Sequence, residues 1–273
     1  MVINFKIIAH IIFFVTLPLR SFAQDFNGLN TYLQRTRVGL VDEFIDRFNA
    51  KETHPDIPLS TPDSKKKNLL MLFDIYMFKS TKDPRYKEAQ QMIDEIINKK
   101  IKINYSDETW TALAHCQGVV GGKNVKFDIY LTVEKRGKDM YKWVISNVKG
   151  SIFDVSPKNK TKNIMLYPDD HETNFISLHR MTTEQPGNVS RFMNNDFNYN
   201  ATSVFVFLVY NGLLKINYVD DLEFIFTQVP GYTFHIRYFQ REKNNAGWLI
   251  SKFYKSNAKE KAQFWKSVLG KTH

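Results

Sequence analysis

The chain has 273 residues, 43% hydrophobic and 24% charged, with a formal net charge of +10 and a mean hydropathy of −0.37. These values exclude a disordered or fibrous chain and a polytopic membrane protein, and leave room for one large core or two ordinary ones. A single cysteine, Cys116, excludes an intramolecular disulfide scaffold and any zinc site built on several thiolates.

Residues 1–23 read as a secretory signal peptide. Lys6 gives the positive n-region, an apolar stretch follows over 7–19, and Ser21 and Ala23 place small residues before Gln24. His10 and Pro18 interrupt that stretch, which falls short of the ~20 residues needed to span a membrane. The expectation is an exported chain with no transmembrane anchor after cleavage and no nucleic-acid partner.

Leu40, Val41, Phe44, Ile45 and Phe48 form a one-sided stripe that predicts a helix. Residues 53–67, with Pro55, Pro58, Pro62 and three consecutive lysines, predict a surface loop. Asn68 is a candidate cap for a second helix through Leu69, Leu72, Phe73 and Tyr76. Asp83-Pro84 opens a third helix carrying Met92, Ile93, Ile96 and Ile97. Ile101, Ile103 and Tyr105 alternate with polar residues, as in a strand.

Cys116 lies in an apolar run with Ala112, Leu113 and Ala114 and reads as a buried small hydrophobe. Its neighbour His115 points to the other face of such a strand, so the two cannot act as base and thiol. Phe127, Ile129, Leu131 and Val133 alternate in the next strand, residues 135–139 turn the chain, and Tyr141, Trp143 and Ile145 return it.

Residues 156–168 contain Pro157, Pro168, Lys158, Lys160 and Lys162 and read as a linker; 175–181 is a short helix candidate. The run 204–210 is β-branched and aromatic, yet its place before 214–218 favours a helix. Leu222, Phe224 and Phe226, a Val229-Pro230-Gly231 turn, Phe234, Ile236 and Tyr238, then Trp248 and Ile250 read as three further strands. A last helix ending at Leu269 carries Ala262, Trp265 and Val268 on one side.

Three short motifs recur in the same order. Ile101-Lys102-Ile103-Asn104-Tyr105 returns as Leu214-Lys215-Ile216-Asn217-Tyr218, Phe127-Asp128-Ile129 as Phe234-His235-Ile236, and Trp143-Val144-Ile145-Ser146 as Trp248-Leu249-Ile250-Ser251. This pattern predicts a duplication: signal peptide 1–23, a first domain over 24–155, the linker 156–168, and a second domain with its C-terminal helix over 169–273.

Helices followed by a twisted antiparallel sheet ending in Trp-x-Ile (Trp143-x-Ile145, Trp248-x-Ile250) resemble the NTF2-like domains of the cystatin-like class. The chain is thus similar to secreted tandem NTF2-like proteins of Gram-negative bacteria, which implies a periplasmic or extracellular location. The resemblance implies an α+β fold of two tandem domains, each with N-terminal helices packed on a curved antiparallel sheet enclosing a conical cavity.

No Gly-rich phosphate loop, Gly-x-Ser-x-Gly elbow or His-Glu-x-x-His motif occurs. Asp169-Asp170-His171-Glu172 reads as an acidic surface turn. No catalytic residue, metal ligand or cofactor is expected. In NTF2-like enzymes an Asp or His inside the cone acts as general base; Asp128 and His235 alternate away from Phe127 and Phe234, which predicts that they face solvent. Tyr105, Trp143, Tyr218 and Trp248, at matching positions in the two copies, are the expected cavity-lining, ligand-binding residues.

The leading expectation is an exported, non-enzymatic binding or accessory protein whose tandem domains offer a pocket or surface to a small molecule, glycan or protein. The alternatives are an isomerase- or dehydratase-like enzyme using one cavity, and a binder of anionic glycans or lipid phosphates through the basic linker and C-terminal tail. The last 22 residues carry six basic side chains against one acidic, so the basic excess is local and argues against a nucleic-acid groove.

Overall fold

The computed structural model describes residues 37–38, 40–52, 61–138, 140–154, 200–242 and 245–269. Helix α1 (Val41–Phe48) turns Phe44, Ile45 and Phe48 inward, as the apolar stripe requires. Helix α2 (Pro62–Leu70) begins inside the stretch expected to be loop. Thr61 caps it in a reciprocal box with Ser64, and Pro62 occupies the first turn, where its missing N–H costs nothing. The expected cap at Asn68 is therefore corrected: Asn68 lies inside α2, and Leu72, Phe73 and Tyr76 follow the helix. Helix α3 (Pro84–Asn98) starts at the expected Asp83-Pro84 signal and buries Met92, Ile93 and Ile96.

Two three-stranded antiparallel meanders follow. The first is β2 (Trp110–Val120), β3 (Lys123–Gly137) and β4 (Met140–Lys149); the second is β5 (Leu214–Phe226), β6 (Tyr232–Phe239) and β7 (Ala246–Lys255). Helix α4 (Ala201–Tyr210) precedes the second, with Asn200 capping Ser203 N–H. Its position in the chain prevails over its β-branched composition because its inner side is buried: Phe205 packs with Phe127 and Phe153. Helix α5 (Ala258–Val268) closes the described fold, capped by Asn257 and Glu260.

The meanders do not form two domains. β2 pairs along its whole length with β5, from Trp110–Phe226 to Val120–Leu214. The result is one sheet in the order β1-β7-β6-β5-β2-β3-β4, where β1 (Arg37–Val38) runs parallel to β7 and the other neighbours are antiparallel. The sheet is open and does not curl into a cone. The tandem NTF2-like or cystatin-like fold and its conical cavities are thereby corrected to one α+β unit. Residues 101–105 form no strand, whereas 214–218 open β5, so the repeated motif does not mark a repeated element.

The functions inferred from tandem cavities, a binding pocket or an isomerase-like site, lose their basis with that fold. The third reading falls with the two-domain arrangement that defined its linker. The expected signal peptide, linker and short helix at 175–181, and with them Asp169, Asp170, His171 and Glu172, lie outside the described residues. Among the described residues no helix is long and apolar enough to cross a membrane.

Apolar residues of one sheet face feed two clusters. Helices α1–α3 cover the larger, where Phe44, Phe48, Phe226 and Phe234 meet ring to ring. Helix α4 covers the smaller, which contains Ala114, Cys116, Phe127 and Ile129. The segment after α2 is tied to β7 by Asp74 N–H to Ile250 O and Ile250 N–H to Leu72 O. Helix α5 spans from the end of β5, through Trp265 Nε1 to Thr227 Oγ1 and Lys261 Nζ to Thr227 O, to β4, where Asn147 Nδ2 donates to Ser267 O. Since β2 and β3 lie between those strands, α5 crosses them.

Candidate metal centre

With alternate residues of β2, β3, β5 and β6 committed to the core, the intervening positions fall on the other face. There the register sets Asp128, His115 and Asp221 in one row across β3, β2 and β5, and Glu223 opposite Arg237 on β5 and β6. His235 sits diagonally from Glu223, a separation that long side chains bridge. The β2–β5 ladder is irregular immediately after His115–Asp221, where β5 carries Asp220 as an extra residue; such bulges re-aim side chains.

Each histidine is oriented by a carboxylate. His115 Nδ1 lies 2.7 Å from Asp128 Oδ1, and His235 Nδ1 lies 2.9 Å from Glu223 Oε2. A carboxylate accepts, so the proton of a neutral imidazole resides on Nδ1 and the lone pair on Nε2. The free Nε2 of His115 faces Glu223 Oε1 at 3.9 Å. His235 Nε2 is buried and meets no hydrogen-bond partner among the described residues.

Arg237 closes the group. Its guanidinium pairs with Asp221 Oδ2, and its Nε lies 3.7 Å from Glu223 Oε1. The hydrogen bond from His235, helped by the charge of Arg237, holds the Glu223 carboxyl below its ordinary pKa although burial pushes the other way. Tyr130, on the same face of β3, is raised by burial and by the charges of Asp128 and Glu223.

One ligand atom from each of His115, Asp221 and Glu223 can be chosen so that all three lie within 4.8 Å of one another. A tetrahedral ion with bonds of about 2.0–2.1 Å needs ligand atoms roughly 3.4 Å apart. The three side chains would have to draw in by about an ångström, which their half-exposed positions allow. An imidazole nitrogen with two carboxylates suits Zn²⁺, Mn²⁺ or Fe²⁺ rather than the all-oxygen sites of Ca²⁺.

Sequence reasoning missed His115, Asp221 and Glu223 as a group and expected no metal ligand. It placed Asp128 and His235 on the face away from Phe127 and Phe234, and there they lie, each tied to a partner. The expectation that both face solvent fails at His235, whose side chain is only 11% exposed beside Glu223 and the Tyr254 ring. A usable signal was present: the outward positions of four strands are unusually rich in ionisable residues. Their convergence rests on the β2–β5 pairing, which no local pattern encodes. Cys116 and His115 do face opposite ways, and burial raises the Cys116 thiol pKa.

The four residues expected to line a cavity are dispersed. Tyr105 and Trp143 share a cleft of about 270 Å³ with Trp110 and Tyr141. Trp248 packs on Phe224 and Tyr238, and Phe224 in turn touches Trp143. Tyr218 stands apart on β5, donating from its hydroxyl to Gln117 Oε1 at 2.9 Å.

No protein-family model, curated protein or solved structure matches this chain.

Proposed function

We propose that the chain binds a divalent transition-metal ion of the Zn²⁺ class on the polar face of its sheet, through His115 Nε2 and the carboxylates of Asp221 and Glu223. The observation that carries this reading is the Asp128–His115 contact. A metal-binding histidine ordinarily gives its other ring N–H to a carboxylate, which fixes the tautomer and raises the basicity of the ligating nitrogen. Here that partner is in place, and the free nitrogen looks toward the two carboxylates.

Three protein ligands leave a coordination position for water or a small ligand, as in catalytic rather than closed structural sites. His235 holds Glu223 from behind, and Asp128 holds His115. An exported location, expected from residues 1–23, belongs to the same proposal and would expose the site to metal outside the cytosol.

Calorimetric titration of tag-free, chelator-treated protein with Zn²⁺, Mn²⁺ and Ca²⁺ tests this. The expected result is one Zn²⁺ site, weaker Mn²⁺ binding, no Ca²⁺ binding, and loss of the Zn²⁺ site in His115→Ala and Glu223→Gln. Zn²⁺ binding untouched by both substitutions, or no binding at all, would sink the reading.

A further inference from the structure

A second site, remote from the sheet face, lies where α1 and α3 end. A cleft of about 260 Å³ opens between their last turns and α2. Phe48, Leu69 and Ile96 are buried beneath it, with Ile97 beside them. Its rim carries Lys65, Lys100 and Lys102, all exposed. Among the described residues none of these lysines has a carboxylate within ion-pair distance. Three acids of α1 and α3 pair with other cations: Glu43 with Arg47, Asp46 with Lys51, and Asp94 with Lys66.

Two further features distinguish the cleft from a surface dimple. Both helices end in backbone N–H bonds reaching back five residues, Lys51 to Asp46 O and Ile101 to Ile96 O. The residues that make these turns are Ala50, with φ 57°, and Lys100, with φ 52°; they are the two non-glycine residues of positive φ in the described chain, and both line the cleft. Glycine is the usual occupant of that left-handed position. Lys100 thus keeps its side chain at the cleft mouth in a conformation that glycine would hold more easily. The walls are also clamped: Asn49 Nδ2 donates to Ile103 O at 2.7 Å, and Ile103 N–H donates to Asn49 Oδ1 at 2.9 Å.

The negative ends of two helix dipoles would by themselves account for Lys100 beside the end of α3. They do not account for Lys65, which stands in the N-terminal half of α2, where the dipole disfavours a cation. An apolar floor rimmed by cations from different elements, none paired with a carboxylate among the described residues, is complementary to a molecule with an apolar body and one negative charge.

We infer that this cleft binds a small amphiphilic monoanion, a carboxylate with an aliphatic or aromatic tail. Its head group lies among Lys65, Lys100 and Lys102, and its tail lies on Phe48, Leu69 and Ile96. The volume is slightly under the ~300 Å³ at which ordinary small-molecule sites begin, so the ligand is of medium-chain rather than membrane-lipid size. This site is independent of the proposed metal centre.

The test is calorimetric titration of the full chain with decanoate below its micellar concentration, beside decanol and decyltrimethylammonium, which share the tail but not the charge. Saturable decanoate binding is expected, at least tenfold tighter than either control and at least tenfold weaker in the Lys65→Gln/Lys100→Gln double variant. Lys100→Gly separates ligand from fold: it should raise the thermal midpoint by relieving the left-handed backbone while weakening decanoate binding. Decanol binding as tightly as decanoate, decanoate affinity unchanged in the double variant, or no saturable decanoate binding would each overturn the inference.

Discussion

His115 Nδ1 and Asp128 Oδ1 stand 2.7 Å apart across the β2–β3 ladder, on directly paired residues of neighbouring strands. The contact fixes the imidazole's rotation and tautomer together, because a carboxylate can only accept. Asp128→Asn keeps the shape of that partner, but an amide can offer Nδ1 either an oxygen or an N–H. Zn²⁺ affinity should fall by about 10- to 100-fold, the usual cost of losing such a supporting carboxylate. His115→Ala should remove the site. Calorimetry on both variants checks the order; equal affinity in Asp128→Asn and wild type would show that the contact does not orient a ligand.

Arg237 predicts an effect of opposite sign. Its guanidinium neutralises Asp221 and Glu223, so it occupies electrostatically the place a metal ion would take. An ion pair near 4 Å is worth on the order of 1 kcal/mol in bulk water and 4 kcal/mol near a protein surface. Arg237→Gln should therefore raise Zn²⁺ affinity by about tenfold or more. It should also destabilise the metal-free protein, where the two carboxylates then face each other unscreened. The thermal midpoint with and without Zn²⁺ reads both effects, and the gap between the two should widen in the variant.

Acid stability follows from two depressed carboxyls. Glu223 is held below its ordinary 4.5 mainly by the hydrogen bond from His235, and Asp83 is lowered from 3.8 to about 2 chiefly by the backbone N–H groups of Lys79, ahead of α3, and Arg85, in its first turn. A group whose folded pKa is lowered contributes stability that is fully present above its unfolded pKa and is lost as pH falls through its folded pKa. The urea midpoint should thus hold down to about pH 5 and decline toward pH 2. Glu223→Gln and Asp83→Asn should each be less stable than wild type at neutral pH and lose less on acidification. Parallel declines in wild type and variants would contradict this.

Local elements were legible where one residue fixes an end or a period fixes a face. Asp83-Pro84 and the alternation of Phe127, Ile129 and Val133 had a short-range cause; the Asn200 cap of α4 went unread. The start of α2 was hidden because three prolines and three lysines look like loop, although Thr61-Pro62 with Ser64 supplies a complete cap. The global error had a different origin. Two meanders with matching motifs suggested two domains because each can be read alone; the pairing that joins them sets Trp110 against Phe226, more than a hundred residues apart. The candidate centre was invisible for the same reason, since His115 and Asp128 come from one meander and Asp221 and Glu223 from the other.

That seam can be tested at Gly118. A Cβ added there would lie 2.5 Å from the Lys215 carbonyl oxygen and 3.2 Å from the Phe127 ring. The oxygen belongs to the backbone of β5, so it cannot swing aside as a side-chain tip would, and the strands must part locally. Gly118 is paired with Ile216 next to an irregularity in the β2–β5 ladder, so the ladder has already yielded there once. Gly118→Ala should cost about 1–3 kcal/mol, the usual range for forced overpacking. Because β2 and β5 carry the two halves of one sheet, the loss should appear in a single unfolding transition, followed equally by Trp143 in one meander and Trp248 in the other. Single-tryptophan variants keeping only Trp143 or only Trp248 provide the two fluorescence probes. Midpoints that separate, with only one half weakened by Gly118→Ala, would mean that the halves fold as independent units.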